Sequence, residues 1–309
     1  MEILILGVTG AVGSALAAQL MADGHRVRGL SRHPPDLRRQ PGLAGVDFHR
    51  GDAISGAGLD RAMRGVEVAY FLIHSMESGA GSAFPVLEHR AAENYAFAAQ
   101  LAGVRRTLYL GGPVPLDAEL SPHLASRLAV ERRLADATPE FLAFRASIVI
   151  GAHSRSFRFL VRLVERLPVL VLPAWRDFRT APVDERDVSA FLTRGAMVPD
   201  IGRQTLEVAG PDVLSYRQLI ERIRDLMVLG RPTLGLPGLT LTAIASRVAA
   251  LIASEDPGFI GPLMESLDSD LLLDGTRAAD LLGVRRHRLD AAIEHALGAW
   301  ERTEPLRAR

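Results

Sequence analysis

The chain has 309 residues, 48% of them hydrophobic and 23% charged, with 36 basic side chains balancing 36 acidic ones. A neutral chain without a dense basic run lacks the electrostatic footprint of a nucleic-acid binder, and no apolar stretch approaches the roughly 20 residues of a membrane span. There is no Cys, which removes disulfides, thiolate nucleophiles and cysteine metal sites, and no Lys, which removes Schiff-base and lysine general-base chemistry. No leader with an apolar core precedes the first apolar run, so the expectation is a cytoplasmic protein.

That first run, Ile3-Leu4-Ile5-Leu6, leads into Gly7-Val8-Thr9-Gly10-Ala11-Val12-Gly13 and then a stretch of small apolar residues. A strand, a glycine turn and a helix in this order make a dinucleotide cradle, with free amides and the helix dipole facing a pyrophosphate. Gly7 permits the tight turn, and Gly13 lets the helix lie close on the sheet. The alternation continues with predicted strands over 25–31, 46–50 and 68–73, a helix over 85–101, a strand over 106–110, a helix over 121–137 and a strand over 141–150. This is the pattern of a Rossmann-type, doubly wound parallel α/β sheet. Beyond Gly151 the pattern loosens: helices are expected over 155–166 and 185–196, short strands over 169–172 and 205–208, and a linker over 230–238. The expected organisation is a dinucleotide-binding core over 1–152, an insertion over 153–183, a return to the core over 184–229, and a smaller, mostly helical substrate or lid region over 230–309.

The end of the second strand selects the dinucleotide. An NAD site places a carboxylate there for the ribose 2′-hydroxyl, whereas this chain reads Gly29-Leu30-Ser31-Arg32-His33. Arg32 with Ser31, assisted by Arg38 and Arg39, suits a 2′-phosphate, so NADPH/NADP is the expected cofactor. Asp52 either accepts from the adenine amino group or serves only as a turn or cap residue. The expected cofactor-binding residues are Gly7, Thr9, Gly10, Ala11, Val12, Gly13, Ser31, Arg32, Asp52, Ala53, Leu72, Ile73, His74, Arg127 and Ser147. No metal site is expected, because His74 has no ligand partners at a suitable spacing.

The glycine turn, Leu30-Ser31-Arg32, Gly51-Asp52, Ala102-Gly103-Val104-Arg105-Arg106 and Gly210-Pro211-Asp212 together resemble the atypical short-chain dehydrogenases/reductases. Tyr70-Phe71-Leu72-Ile73-His74-Ser75-Met76 is similar to the fourth strand of the NmrA-like NAD(P)H-binding branch. The resemblance runs to about Tyr216. It implies a catalytic Tyr, a Lys four residues later and a Ser or Thr after the fifth strand. This chain departs at all three, carrying His123, Arg127 and Gly111-Gly112-Pro113 instead.

His123 is therefore the candidate proton donor, or else only the exposed start of a helix after Ser121-Pro122. Arg127 is the candidate for holding ribose and favouring negative charge on a substrate oxygen. Asn94 and Tyr95 flank the crevice on a helix whose Ala-rich face suits packing, and Asp184 and Asp187 read as loop or cap residues. Trp175, Phe178 and the apolar stretch over 239–267 either wall a pocket for a flat ligand or form core. The resemblance extends to ketoreductases of actinobacterial antibiotic pathways acting on aromatic polyketides. The leading expectation is thus an NADPH-dependent ketoreductase for an aromatic or polycyclic small molecule, acting as a monomer or weak dimer without nucleic-acid or membrane partners. An NADP(H)-sensing regulator or scaffold is the alternative, and an isomerase or quinone reductase the third reading.

Overall fold

β1 (Glu2–Leu6) is buried on both faces, as a central parallel strand must be. Side chains alternate across the sheet, so Ile3 and Ile5 enter one apolar cluster and Leu4 and Leu6 another. The computed structural model describes residues 1–73, 84–115, 120–235, 269–304 and 306.

Around β1 stand β2 (Arg26–Ser31), β3 (Asp47–Arg50), β4 (Val68–Phe71), β5 (Arg106–Gly111), β6 (Glu140–Ala146) and, further along the chain, β11 (Arg203–Val208). They form a seven-stranded sheet in the order β11-β6-β5-β4-β1-β2-β3, with every pairing parallel. The chain moves outward from β1 through β2 to β3, then returns to the other side of β1 at β4. The strand order therefore reverses between β1 and β4, which is where open α/β sheets leave a crevice at their carboxyl ends.

Helices cover both faces. α1 (Ala11–Ala22) and α6 (Glu185–Met197) contribute Leu16, Leu20, Phe191 and Leu192 to the cluster holding Ile3 and Ile5. α2 (Leu59–Met63), α3 (Phe84–Ala102) and α4 (Pro122–Leu134) supply Met63, Tyr95 and Leu134 to the cluster holding Leu4 and Leu6. A third cluster is built from α5 (Arg155–Arg166), α7 (Tyr216–Leu226) and α9 (Leu289–Glu301), with Trp300 and Trp175 inside it. α8 (Thr276–Leu282) instead puts Ala278 and Leu282 into the α1/α6 layer, so the tail contacts both parts of the molecule. No helix among the described residues is long and apolar enough to cross a membrane.

Several expectations change. The strand expected over 141–150 ends at Ala146, and β7 (Val149–Ile150) is a separate piece that pairs with β10 (Val183–Asp184) outside the main sheet. Part of the expected linker is a strand, β13 (Thr233–Gly235), parallel to β8 (Leu170–Leu172). β9 (Arg179–Thr180) and β12 (Leu214–Ser215) add a short antiparallel pair. α4 stops at Leu134, three residues short of its expected end, with Ala135 as C-cap. The apolar stretch over 239–267 lies wholly outside the described residues, as do His74 and Ser75.

Candidate functional site

The glycine turn is built as the cradle requires. Gly7 has φ +89°, and a β-carbon there would lie 2.7 Å from the Leu72 carbonyl oxygen at the end of β4. Gly10 donates its amide to Gly7 O at 3.0 Å and caps α1 with backbone alone, with no side-chain cap and no acidic residue in the first turn. The positive end of α1 is thus left facing the crevice, a fit for an anionic pyrophosphate.

A cleft of about 560 Å³ opens over these strand ends. Gly7, Thr9, Gly10, Ser31, Arg32, Asp52, Ala53, Leu72 and Ile73 all line it. Leu30, His33, Pro35, Gln40, Gly51 and Ile54 line it as well, though none was among the expected cofactor-binding residues. Gln40 bonds Thr9 O at 2.9 Å across 31 residues, a contact with no local signature. A larger groove of about 1290 Å³ runs between α1 and α6. It meets the first cleft at Thr9 and Gln40 but follows helix flanks instead of strand ends, so the smaller cleft is the candidate nucleotide site.

Arg32 is exposed at the cleft's edge and makes no ion pair or hydrogen bond among the described residues. Arg38 and Arg39 are engaged with Asp36 at 3.5 and 3.7 Å. Ser31 donates its hydroxyl to His33 O at 2.5 Å, which closes the turn around Arg32 and uses the donor expected to help it. Asp52 accepts from the Ile54 amide at 3.1 Å, so its loop role is real, and it still faces the cleft. Asn94 holds that loop from α3, donating to Ala53 O and Ile54 O at 2.9 Å each.

Ala11, Val12 and Gly13 form the first turn of α1, with Gly13 buried beneath Gly7. Ser147 lies elsewhere: it is buried against Thr180, with their hydroxyls 2.9 Å apart, and does not line the cleft. Arg145 sits within β6 and forks onto Glu131 of α4 at 2.9 and 3.0 Å. Trp175 is core, edge-on to Tyr216 with ring centres 6.1 Å apart, and Phe178 packs on the same cluster. Asp184 caps α6 through the Arg186 amide, and Asp187 holds His287 at 2.6 Å. No group of three or more His, Asp or Glu among the described residues is placed to hold a metal ion.

The α4 candidates sit on one helical face. Pro122 opens the helix behind the Ser121 cap, and His123 follows, half-buried against Phe84 of α3 at 6.3 Å between ring centres. One turn on, Arg127 turns inward. It donates to Ile73 O at 3.2 Å and to Leu110 O, and lies 4.9 Å from the Tyr109 ring centre. Its charge is met by buried Glu88 at 3.6 Å, whose other oxygen accepts from Ser126 Oγ at 2.7 Å. The sequence reading missed Glu88, whose signal is only its place one turn beyond Phe84.

The three departures after β5 and on α4 are coherent with this packing. A β-carbon at Gly111 would lie 2.8 Å from the Tyr109 ring, and one at Gly112 would lie 3.1 Å from Leu124. The chain's four tyrosines, Tyr70, Tyr95, Tyr109 and Tyr216, are all buried. Burial pushes every one of their phenols above its ordinary pKa, Tyr216 to about 12. Tyr70, Tyr95 and Tyr109 donate to Leu192 O, Ala69 O and Arg127 O respectively. None of the four is an exposed, acidified phenol able to give up a proton in the cleft.

Residues 7–132 match a family model described as NAD(P)H-binding. This part of the chain is thus similar to NAD(P)H-binding domains. The uncharacterized protein Rv2047c of Mycobacterium tuberculosis (strain ATCC 25618 / H37Rv) is 27% identical over 237 residues, 76% of this chain and 25% of that protein. The chain thus spans about a quarter of the length of this mycobacterial relative. A ceramide reductase of Caulobacter vibrioides is 26% identical over 271 residues, 87% of this chain and 84% of that one. A (4-alkanoyl-5-oxo-2,5-dihydrofuran-3-yl)methyl phosphate reductase of Streptomyces griseus is 28% identical over 235 residues, 74% of each. The fold is similar to that of UDP-glucuronic acid 4-epimerase from Bacillus cereus, solved with UDP-glucuronic acid and NAD, with a TM-score of 0.74, 15% identity and coverage of 98% and 100%.

Proposed function

We propose that this protein is an NADPH-dependent carbonyl reductase, a ketoreductase for a bulky, largely apolar small molecule of the aromatic polyketide type. The observation that carries the reading is Arg32. It stands at the cleft's edge where the second strand ends, without a carboxylate beside it in Gly29-Leu30-Ser31-Arg32-His33 and without a partner among the described residues. A guanidinium in that place recognises a 2′-phosphate by charge-assisted hydrogen bonds. The two sequence relatives named as reductases support the reaction type.

When bound, NADPH supplies the hydride. The chain's own contribution is to hold the dinucleotide over the strand ends, with the amides around Gly10 on the pyrophosphate and Arg32 on the 2′-phosphate. With the phenols buried, His123 is the side chain assigned to proton delivery. Arg127 is clamped to the ends of β4 and β5 and shapes the cleft wall at Ile73 instead of reaching out with a free charge.

That inward clamp, with no hydroxyl in Gly111-Gly112-Pro113, favours a second reading in which NADP(H) is bound and sensed but not turned over. One experiment separates the two. Full-length protein is mixed with NADPH and a panel of aromatic polyketide ketones, and nicotinamide absorbance is followed. Substrate-dependent oxidation supports the reductase; tight NADPH binding with silence across the panel supports the sensor.

A further inference from the structure

α3 and α4 face each other with matched pairs one turn apart. Phe84 and Glu88 on α3 meet His123 and Arg127 on α4. Glu88 is fully buried, and Arg127 is 8% exposed. A carboxylate and a guanidinium removed from water persist only when each satisfies the other and the remaining donors find acceptors. Here the acceptors are particular ones: the carbonyls of Ile73 and Leu110, just past β4 and near the end of β5. Ile73 is itself a wall of the nucleotide cleft. It belongs to the half beyond the strand-order reversal, opposite the half carrying Ser31, Arg32 and Asp52.

We propose that Glu88 is a positioning residue for cofactor binding: by anchoring Arg127 it fixes the strand ends that form the half of the cleft remote from Arg32. The inference rests on the nucleotide-site reading above. Neutralising Glu88 leaves a buried guanidinium without its anion. The relief open to it is to turn toward water, releasing Ile73 and Leu110. The adenine half, held by Arg32, Asp52 and the Asn94-anchored loop, does not depend on that contact.

The test compares NADPH with 2′,5′-ADP, which fills only the adenine half, by calorimetry on the full chain. For Glu88→Gln the dissociation constant for NADPH should rise about tenfold, a coupling of ordinary size for residues in direct contact. That for 2′,5′-ADP should stay within about twofold, inside the usual additivity of distant sites. A purely structural role would lower the melting temperature and leave the ratio of the two constants unmoved. In an Arg127→Met background the Glu88→Gln effect on the ratio should vanish, because the anchored cation is gone. Glu88→Asp, which keeps the charge, should show a smaller change in ratio and serves if the Gln variant does not fold. An unchanged ratio, tighter NADPH binding, or an effect that survives in the Arg127→Met background overturns the proposal. If the wild type binds NADH and not NADPH, the 2′-phosphate reading fails, and the same ratio is measured with NADH against ADP. Wild-type protein that binds none of these nucleotides overturns both.

Discussion

Gly13 lies so tightly beneath Gly7 that a β-carbon at position 13 would collide with the Gly7 carbonyl oxygen and stand 2.9 Å from Val8 Cα. The obstacles are backbone atoms of the cradle itself, so no rotamer change relieves them. Gly13→Ala should therefore push α1 off the turn, destabilise the fold by at least the ~1–3 kcal/mol typical of overpacking, and abolish the thermal shift given by NADPH. Gly298→Ala is the contrast. Nothing lies within 4 Å of a β-carbon there, in the middle of α9, and it should be neutral or stabilising by up to about 1 kcal/mol. Melting curves with and without NADPH check both, and equal behaviour of the two variants would refute the close-packing argument.

Arg32 should discriminate between the two dinucleotides. A hydrogen bond to a charged group is worth roughly 1.5–3 kcal/mol, so Arg32→Ala should weaken NADPH about ten- to a hundredfold while barely changing NADH. Arg38→Ala should leave both nearly unchanged, since Arg38 is already engaged with Asp36. Isothermal titration with both dinucleotides decides the matter, and an equal loss for NADH and NADPH would remove Arg32 from 2′-phosphate recognition.

The cradle was legible because its signals are local: an apolar strand, glycines at close-approach positions and a run of small residues follow one another within a few turns of chain. All seven strands of the main sheet were legible between turn residues, including the one expected over 205–208, which begins two residues earlier at Arg203 and proves to be the sheet's edge beside β6. Contacts between segments distant in sequence were less legible. Gln40 reaches Thr9 across the cleft, and Glu88 reaches Ser126 across 38 residues. Nothing around either residue in the sequence announces its partner. Trp175 was open between pocket wall and core because an aromatic in an apolar run satisfies both, and only packing against Tyr216 resolves it. α2, five residues between Gly58 and Gly65, is too short for helical periodicity to register.

If the protein reduces a carbonyl as proposed, the proton has to come from a group other than the four buried tyrosines. His123→Phe keeps a ring against Phe84 while removing the nitrogens. Steady-state turnover with an active ketone should fall by about a hundredfold or more if the imidazole is the donor. NADPH affinity should hold, because His123 is not part of the cleft lining. Turnover close to wild type would assign the proton to solvent or to the substrate's own neighbouring hydroxyl.

Acid should loosen the C-terminal helix by a defined route. Asp290 is held below the ordinary carboxylate range mainly by hydrogen bonds from Arg222 of α7. Glu304 is held low first by the Trp300 indole and then by Arg158 of α5. Arg158 and Arg162 in turn lie over the Trp300 ring at 4.2 and 4.8 Å. Because the folded pKa is the lower one in each case, the unfolded chain binds more protons between the two values. The stabilisation is fully present above the ordinary carboxylate pKa of about 4, and is lost as pH falls through the depressed folded values. Both carboxylates are about half exposed, so the contribution is modest and weakened by salt. Tryptophan fluorescence followed from neutral pH downward should therefore change below about pH 4, at higher pH in high salt, as Trp300 loses its cover. An Asp290→Asn/Glu304→Gln variant should be less stable at neutral pH and lose less on acidification. Superimposable acid profiles for that variant and the wild type would show that these two pairs do not hold α9 in place.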